Sequence, residues 1–572
     1  MTLYNEQAAA QGVDMEPLYK RYLNETVNEK GKVVDFSFNV PEQFVFAYDV
    51  LDELARRKPD APALMWRSES GEGDHVFTFG EMKEKSDKAA AAFRKQGIKK
   101  GDAVMLILKR HYTFWFAIMG LNKIGAIGVP ATNQLLVKDL EYRFQAADVK
   151  AIVCVNDGDI VKYVDEAQKN THPLAAKWIV NGEKEGWLGF EEELETAPAF
   201  VKPERKDMQK NEDTVLIYFT SGTTGMPKMV AHDNTYPLAH IVTAKYWHNV
   251  RPGKPHLTVS ETGWMKSIWG KLYGQWLMEA VIYVYDMERF NAHNLLSRIA
   301  RDKVTTFCAP TTIYRMLIHE DLSKYDLSAL EHASVAGEAL NAEVFNKFYE
   351  ATGLKLMEGF GQTETTLTIA TFHWMKPKPG SMGKPIKINN VMIVDEEGKP
   401  KKAGEVGEIV LKINGQEDKP VGIFKGYHKE PERTKEVWHD GLYHTGDMAW
   451  QDEEGYVFYM SRIDDVIKSS GYRIGPFEVE SVLMQHEAVL ECAVTGVPDP
   501  VRGMTVKATI VLVNGFDPTD EMKKDIQNYV KTNTAPYKYP RVIEFVQELP
   551  KTISGKIRRG EIRAKDDAVS ER

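Results

Sequence analysis

Cysteine is scarce: only Cys154, Cys308 and Cys492 occur in 572 residues. Their separation excludes a disulfide framework and a cysteine-rich zinc site, and points to a reducing compartment. Long apolar runs are missing too. The most apolar stretch, Phe114 to Ala131, is broken by Asn122 and Lys123 and carries Gly120, Gly125, Gly128 and Pro130, so it falls short of a membrane span. Positive charge is not in excess. A net charge of −9 gives no general reason to bind nucleic acid or an anionic membrane, so any anion site must be a local concentration of donors. The first residues lack a signal peptide's apolar core, and Glu6, Asp14, Glu16, Glu25 and Glu29 count against an acid-poor transit peptide. No repeat and no low-complexity segment interrupts the chain. A cytoplasmic protein is expected.

What is present is the composition of a large globular chain, 43% apolar and 27% charged, long enough for more than one domain. Helical spacing at 46–57 and 80–97 alternates with apolar runs at 102–108, 149–155, 214–219, 281–285 and 304–308. This alternation implies an α/β fold with a largely parallel sheet covered on both faces. After about residue 390 short strands bounded by Gly and charged turns suggest a β-rich lobe. The last 110 or so residues return to alternating helix and strand, with Arg462-Ile-Asp-Asp465 as the junction.

The densest motif is Thr220-Ser221-Gly222-Thr223-Thr224-Gly225-Met-Pro-Lys228, directly after the run Thr214 to Phe219. Hydroxyls and uncovered backbone N–H groups there can converge on a polyanion, with Lys228 adding a point charge. Taken alone, such a cluster is more often a surface linker. It is not a Walker loop: Pro227 stands where a glycine should precede the lysine, and Met229 replaces the magnesium-binding Ser/Thr.

Five further constellations lie at 337–339, 358–364, 443–447, 462–474 and 550–557. In Glu358-Gly359-Phe360-Gly361-Gln362-Thr363-Glu364, Phe360 flanked by glycines offers a face for a base, and Glu364 is a hard oxygen ligand suited to Mg²⁺. Tyr443-His-Thr-Gly-Asp447 reads as a tight turn presenting a carboxylate to ribose hydroxyls. Gly337, Glu338 and Ala339 end a strand and could edge a purine. Finally, Arg462 to Ile474, with Gly471 and Arg473, and Pro550 to Ile557, with Lys556, are basic loops.

In this order and at these spacings the motifs resemble the adenylate-forming superfamily of acyl-CoA synthetases, luciferases and peptide-synthetase adenylation domains. Ser469 to Pro476, Pro498 to Gly503 and Thr534 to Arg541 look most like the medium-chain acyl-CoA synthetases. The resemblance implies a large N-terminal domain over 1–461, a hinge over 462–465 at Asp464, and a small mobile α+β domain over 466–572. It also implies ATP, Mg²⁺ and coenzyme A, with reaction through an acyl adenylate. By the same resemblance Lys556 bridges carboxylate and α-phosphate, Glu364 binds Mg²⁺, and Thr220 belongs to the catalytic loop. Asp447 and Arg462 hold the ribose, Gly337, Glu338, Ala339 and Phe360 the adenine, and Gly471 and Arg473 serve coenzyme A after rotation about Asp464.

Acetyl-CoA synthetases place a Trp where this chain has Gly361, so the acyl pocket is expected to extend past two carbons, with Trp264 as a wall or gate. Glu261 matches an Asp of medium-chain enzymes, and Lys266 is a charge unexpected in an acyl tunnel; Thr365 stands where the family often has Gly. A small carboxylic acid is the expected partner of a monomer or homodimer. Transfer to a carrier protein is the alternative, although no carrier motif follows.

Overall fold

A computed structural model describes residues 16–29, 33–220, 226–413, 419–551 and 557–570. The expected motif residues Ser221, Gly222, Thr223, Thr224, Gly225 and Lys556 lie outside the described residues.

Two large sheets form the frame. In the first, strands Ile127–Pro130, Ala103–Ile107, Val149–Val155, Ala176–Val180 and Leu188–Gly189 run parallel. Thr214–Phe219 joins them in parallel, and Met229–Asp233 then turns back antiparallel beside it. In the second, Pro62–Ser68, Val281–Asp286, Pro255–Thr258, Thr306–Ala309, His332–Val335 and Leu356–Gly361 are parallel, and Leu367–Ala370 follows antiparallel, with Lys384–Pro385 at the edge beyond it. Strands such as Ala103–Ile107 are buried on both faces, as continuous apolar runs require when helices cover each side.

The local signals behind these elements are legible. Helix Phe79–Lys95 starts on a capping box, with Thr78 Oγ1 accepting from Glu81 N–H and Thr78 N–H donating to Glu81 Oε2. Its apolar face, Phe79, Met82, Ala89 and Phe93, packs on helix Thr113–Ile124. A Cβ at Gly120 would stand 2.7 Å from Ala89 Cβ, so glycine permits the close crossing. Thr113–Ile124 is the helical part of the apolar stretch that fell short of a membrane span, and strand Ile127–Pro130 is the rest. It is a core helix whose Lys123, wholly buried, pairs with Asp52 at 2.8 Å and Asp87 at 2.5 Å. Among the described residues no helix is long and apolar enough to cross a membrane.

A smaller antiparallel sheet, Val391–Val394, Gly407–Lys412, Trp438–His439, Leu442–Gln451 and Val457–Arg462, is the β-rich lobe. It ends at the one-turn helix Ile463–Asp465. Beyond that turn a separate five-stranded sheet, Ile467 to Phe545, pairs with none of the others among the described residues and has its own core of Ile467, Val479, Val494, Ile510 and Val530. Cys154, Cys308 and Cys492 are all free and buried.

Candidate nucleotide and acyl site

The ends of these strands gather four of the sequence motifs. Thr220 and Lys228 mark the mouth of the 220s loop, where Thr220 N–H donates to Lys228 O at 3.0 Å and Phe219 is in register with Met229. The loop therefore joins two antiparallel strands. A Walker loop would lead into a helix, so the departure at Pro227 has a topological counterpart. Pro227 O accepts from Tyr142 OH at 2.9 Å, and Met226 O from Arg433 at 3.3 Å.

Glu364 sits on the turn between Leu356–Gly361 and Leu367–Ala370. Thr365, where a glycine is usual in the resembling family, caps this turn: its hydroxyl accepts from Gln362 N–H at 2.9 Å and donates to Thr366 O at 2.8 Å. His232 reaches Thr363 O at 2.8 Å and Phe424 N–H donates to Glu364 O at 2.8 Å, so both neighbouring segments hold the turn. Tyr427 OH donates to Glu364 Oε1 at 2.9 Å. No sequence motif pointed to Tyr427.

Asp447 was expected on a tight turn and instead lies within the ten-residue strand Leu442–Gln451, directly across from Arg462. The Tyr443–Asp447 segment pairs with Gly407–Lys412, which straightens it; only Gly446, at φ +69°, interrupts. A Cβ there would stand 2.7 Å from Arg462 Nη2, so glycine also clears room for the guanidinium. Asp447 Oδ2 takes Gln362 Nε2 at 2.6 Å and Arg462 Nη1 at 3.2 Å, and Oδ1 takes Tyr459 OH at 3.4 Å. Tyr443 OH donates to Gln362 Oε1 at 2.7 Å, fixing the amide with its nitrogen toward the carboxylate.

Gly337, Glu338 and Ala339 leave strand His332–Val335 with Gly337 at φ +104°, a left-handed conformation natural to glycine. Glu338 Oε2 accepts from Thr312 OH at 2.8 Å, and its carbonyl from Thr311 OH at 3.1 Å. Lys266 does not face an acyl tunnel: its ammonium donates to Ala336 O at the base of this same loop.

Glu358 is buried, with Oε1 accepting from Leu340 N–H at 3.1 Å and Oε2 unpartnered. Burial pushes its carboxyl up from 4.5 to about 8. The folded protein then holds a proton that the unfolded chain has released, so stability falls as pH rises from about 4.5 to about 8 and levels off above. Glu358→Gln is expected to flatten this dependence. Melting curves of the two proteins should be separated most at the alkaline end, and parallel curves across the range would contradict the assignment.

The acyl side departs furthest from expectation. Phe360 is half-buried against Ile369, Met382 and Ile409. Its flanking glycines do not leave open space but admit two indoles. A Cβ at Gly359 would meet Trp247 at 2.7 Å, and one at Gly361 would meet Thr366 O at 2.2 Å and the Trp269 ring at 2.5 Å. The room left by the missing side chain at 361 is thus taken by Trp269, from helix Met265–Lys271. Trp264, half-buried, is the N-cap residue of that helix. Gly263 must be glycine, since a Cβ would stand 2.5 Å from the Ala131 carbonyl carbon. Glu261 is 8% exposed, and burial raises its carboxyl's pKa against the opposing Arg110.

Gly471 and Arg473 are not brought to this site. The hairpin tip is exposed, Arg473 pairs with Glu396 at 2.6 Å, and Tyr472 stacks on Tyr537. Asp464 lies in the turn Ile463–Asp465, and its neighbour Asp465 binds Arg563 at 2.5 Å.

The chain is similar to known proteins along most of its length. The AMP-binding enzyme family matches residues 51–428, and the AMP-binding enzyme C-terminal domain matches 478–556. The mouse mitochondrial acyl-coenzyme A synthetase ACSM3 is 38% identical, covering 96% of each chain. The 4-hydroxybutyrate–CoA ligase 1 of Metallosphaera sedula is 39% identical over 92% of this chain and 91% of its own. Among solved structures, the anthranilate CoA ligase AuaEII with anthranoyl-AMP superposes with a TM-score of 0.84 at 28% identity, covering 93% of this chain and 99% of that one.

Proposed function

The chain belongs to the AMP-binding enzyme family, and from that premise we propose how its residues divide the work of an acyl-CoA synthetase. The enzyme activates a carboxylic acid with ATP, releasing pyrophosphate, and passes the acyl group from the adenylate to coenzyme A. The observation that carries the division of roles is the network of Gln362, Asp447, Arg462 and Tyr443, a fixed set of donors and acceptors gathered on one carboxylate.

In the first step a carboxylate oxygen attacks the α-phosphorus and the bond to pyrophosphate breaks. Two unit anions about 4 Å apart repel by about 4 kcal/mol at an effective dielectric of 20, so a cation must stand between them. Lys556 takes that role by resemblance, and Lys228 with the 220s loop draws charge toward the departing pyrophosphate. Gly337, Glu338 and Ala339 edge the adenine, and Asp447 with Arg462 the ribose. Glu364 would hold the Mg²⁺ that accompanies ATP: its Oε1 is committed to Tyr427, while Oε2 has no partner among the described residues and is a hard oxygen acceptor. When bound, that ion neutralises phosphate charge.

In the second step the thiol attacks the acyl carbonyl and AMP leaves. Rotation about Asp464 would bring Gly471 and Arg473, here paired outward with Glu396, toward the site. The acid lies between Trp264 and Trp269, and Trp269 rather than residue 361 sets the depth of its pocket. Gly361→Trp is therefore expected to disrupt packing instead of narrowing specificity.

The testing variant is Trp269→Ala, assayed by pyrophosphate release across straight acids from acetate to laurate, branched acids and aromatic acids. One methylene in an apolar pocket is worth about 1–3 kcal/mol, so the kcat/KM optimum should move to acids at least two carbons longer, by about tenfold or more relative to wild type. An unchanged profile would remove Trp269 from the pocket.

A further inference from the structure

Tyr427 belongs to none of the sequence motifs yet stands where two of them meet. Its strand, Gly426–Tyr427, pairs with Met229–Asp233 and so carries the phenol to the mouth of the 220s loop, opposite the turn that bears Glu364. The hydroxyl donates to Glu364 Oε1 at 2.9 Å. Lys228 Nζ lies 3.4 Å from the same hydroxyl and 4.9 Å from the ring centroid. The ring is buried, wedged edge-on against Phe424, and its backbone N–H is held by Thr434 Oγ1 at 2.9 Å.

An ammonium and a carboxylate this near each other would ordinarily pair directly, and each would then be spent. Here both meet the same phenol oxygen instead, and among the described residues they form no ion pair with each other. The hydroxyl spends its one proton on Glu364 Oε1. It gives Glu364 one uncharged partner and leaves the carboxylate's charge and second oxygen free. To Lys228 it offers an aromatic face and a neutral oxygen, which attract the ammonium without cancelling it.

We infer that Tyr427 is a positioning residue that keeps Glu364 turned toward the divalent cation entering with ATP and Lys228 turned toward the phosphates. The inference rests on Glu364 being the cation ligand. Removing an outer partner of a metal-binding carboxylate lowers metal affinity by about 10- to 100-fold.

The test uses Mn²⁺ as the probe, titrated by electron paramagnetic resonance into full-length enzyme saturated with a non-hydrolysable ATP analogue. Tyr427→Phe keeps the ring and removes only the hydroxyl. Its Mn²⁺ affinity is expected to fall by about tenfold or more, with an unchanged melting temperature and unchanged thioester formation from supplied acyl adenylate. Glu364→Gln, run alongside, should weaken Mn²⁺ binding at least as much. Wild-type Mn²⁺ affinity in Tyr427→Phe, with Glu364→Gln impaired, would overturn the role of Tyr427. Wild-type affinity in Glu364→Gln would overturn the ligand assignment beneath it.

Discussion

Asparagine at position 447 is expected to slow both half-reactions, because the AMP moiety is gripped in each of them. Asp447 accepts from Gln362 and Arg462 on one oxygen and from Tyr459 on the other, and it is 5% exposed. An amide of the same size keeps the packing but has one acceptor oxygen in place of two, and no charge to set against Arg462. If its NH₂ faces Gln362 and Arg462, donor meets donor; if it turns away, it faces Tyr459 and the ribose hydroxyls. A hydrogen bond to a charged group is worth about 1.5–3 kcal/mol, so kcat/KM for ATP should fall by about 10- to 100-fold. Thioester formation from supplied acyl adenylate should fall with it. Loss confined to the first half-reaction would contradict a ribose-holding role, and single-turnover measurements of the two steps separate these outcomes.

Lys556→Ala should behave in the opposite way. The lysine is expected to serve only the attack of carboxylate on phosphate, where anion must approach anion. Its removal should cost adenylation at least about 100-fold, the scale for one lost charge-stabilising donor. Thioester formation from supplied adenylate should largely survive, because in the proposed scheme the domain carrying the lysine would by then have turned away. Equal loss of both steps would contradict a two-orientation scheme. The pair of variants is more informative than either alone: one residue is needed twice, the other once.

How much of this was legible in the chain depends on how local each feature is. Strands Val149–Val155 and Thr214–Phe219 could be bounded from their apolar runs, since a strand buried on both faces declares itself residue by residue. The motifs around Thr220, Glu364, Asp447 and Arg462 were also legible, because each packs its chemistry into a short stretch. Their meeting was not. Asp447 looked like a turn because Gly446 breaks the pattern, and only pairing with Gly407–Lys412 makes it a strand.

The neighbours of Gly361 were invisible for the same reason. An absent side chain says that something comes close, but nothing in residues 357–364 says whether it is substrate or the indole of Trp269, some ninety positions earlier. Tyr427 is 63 positions from Glu364 and lies on a two-residue strand with no periodicity of its own. Lys266 looks misplaced in an acyl tunnel from the sequence, and its ammonium in fact donates to the Ala336 carbonyl. In each case the sequence carried the residue and the tertiary fold supplied its partner.

Acid-dependent exchange of labelled pyrophosphate into ATP, measured without coenzyme A, tests the chemistry most directly. Exchange should require the acid and proceed with the thiol absent, and AMP should be released in quantity only once coenzyme A is added. Exchange that needs coenzyme A, or turnover that yields ADP, would contradict reaction through an acyl adenylate.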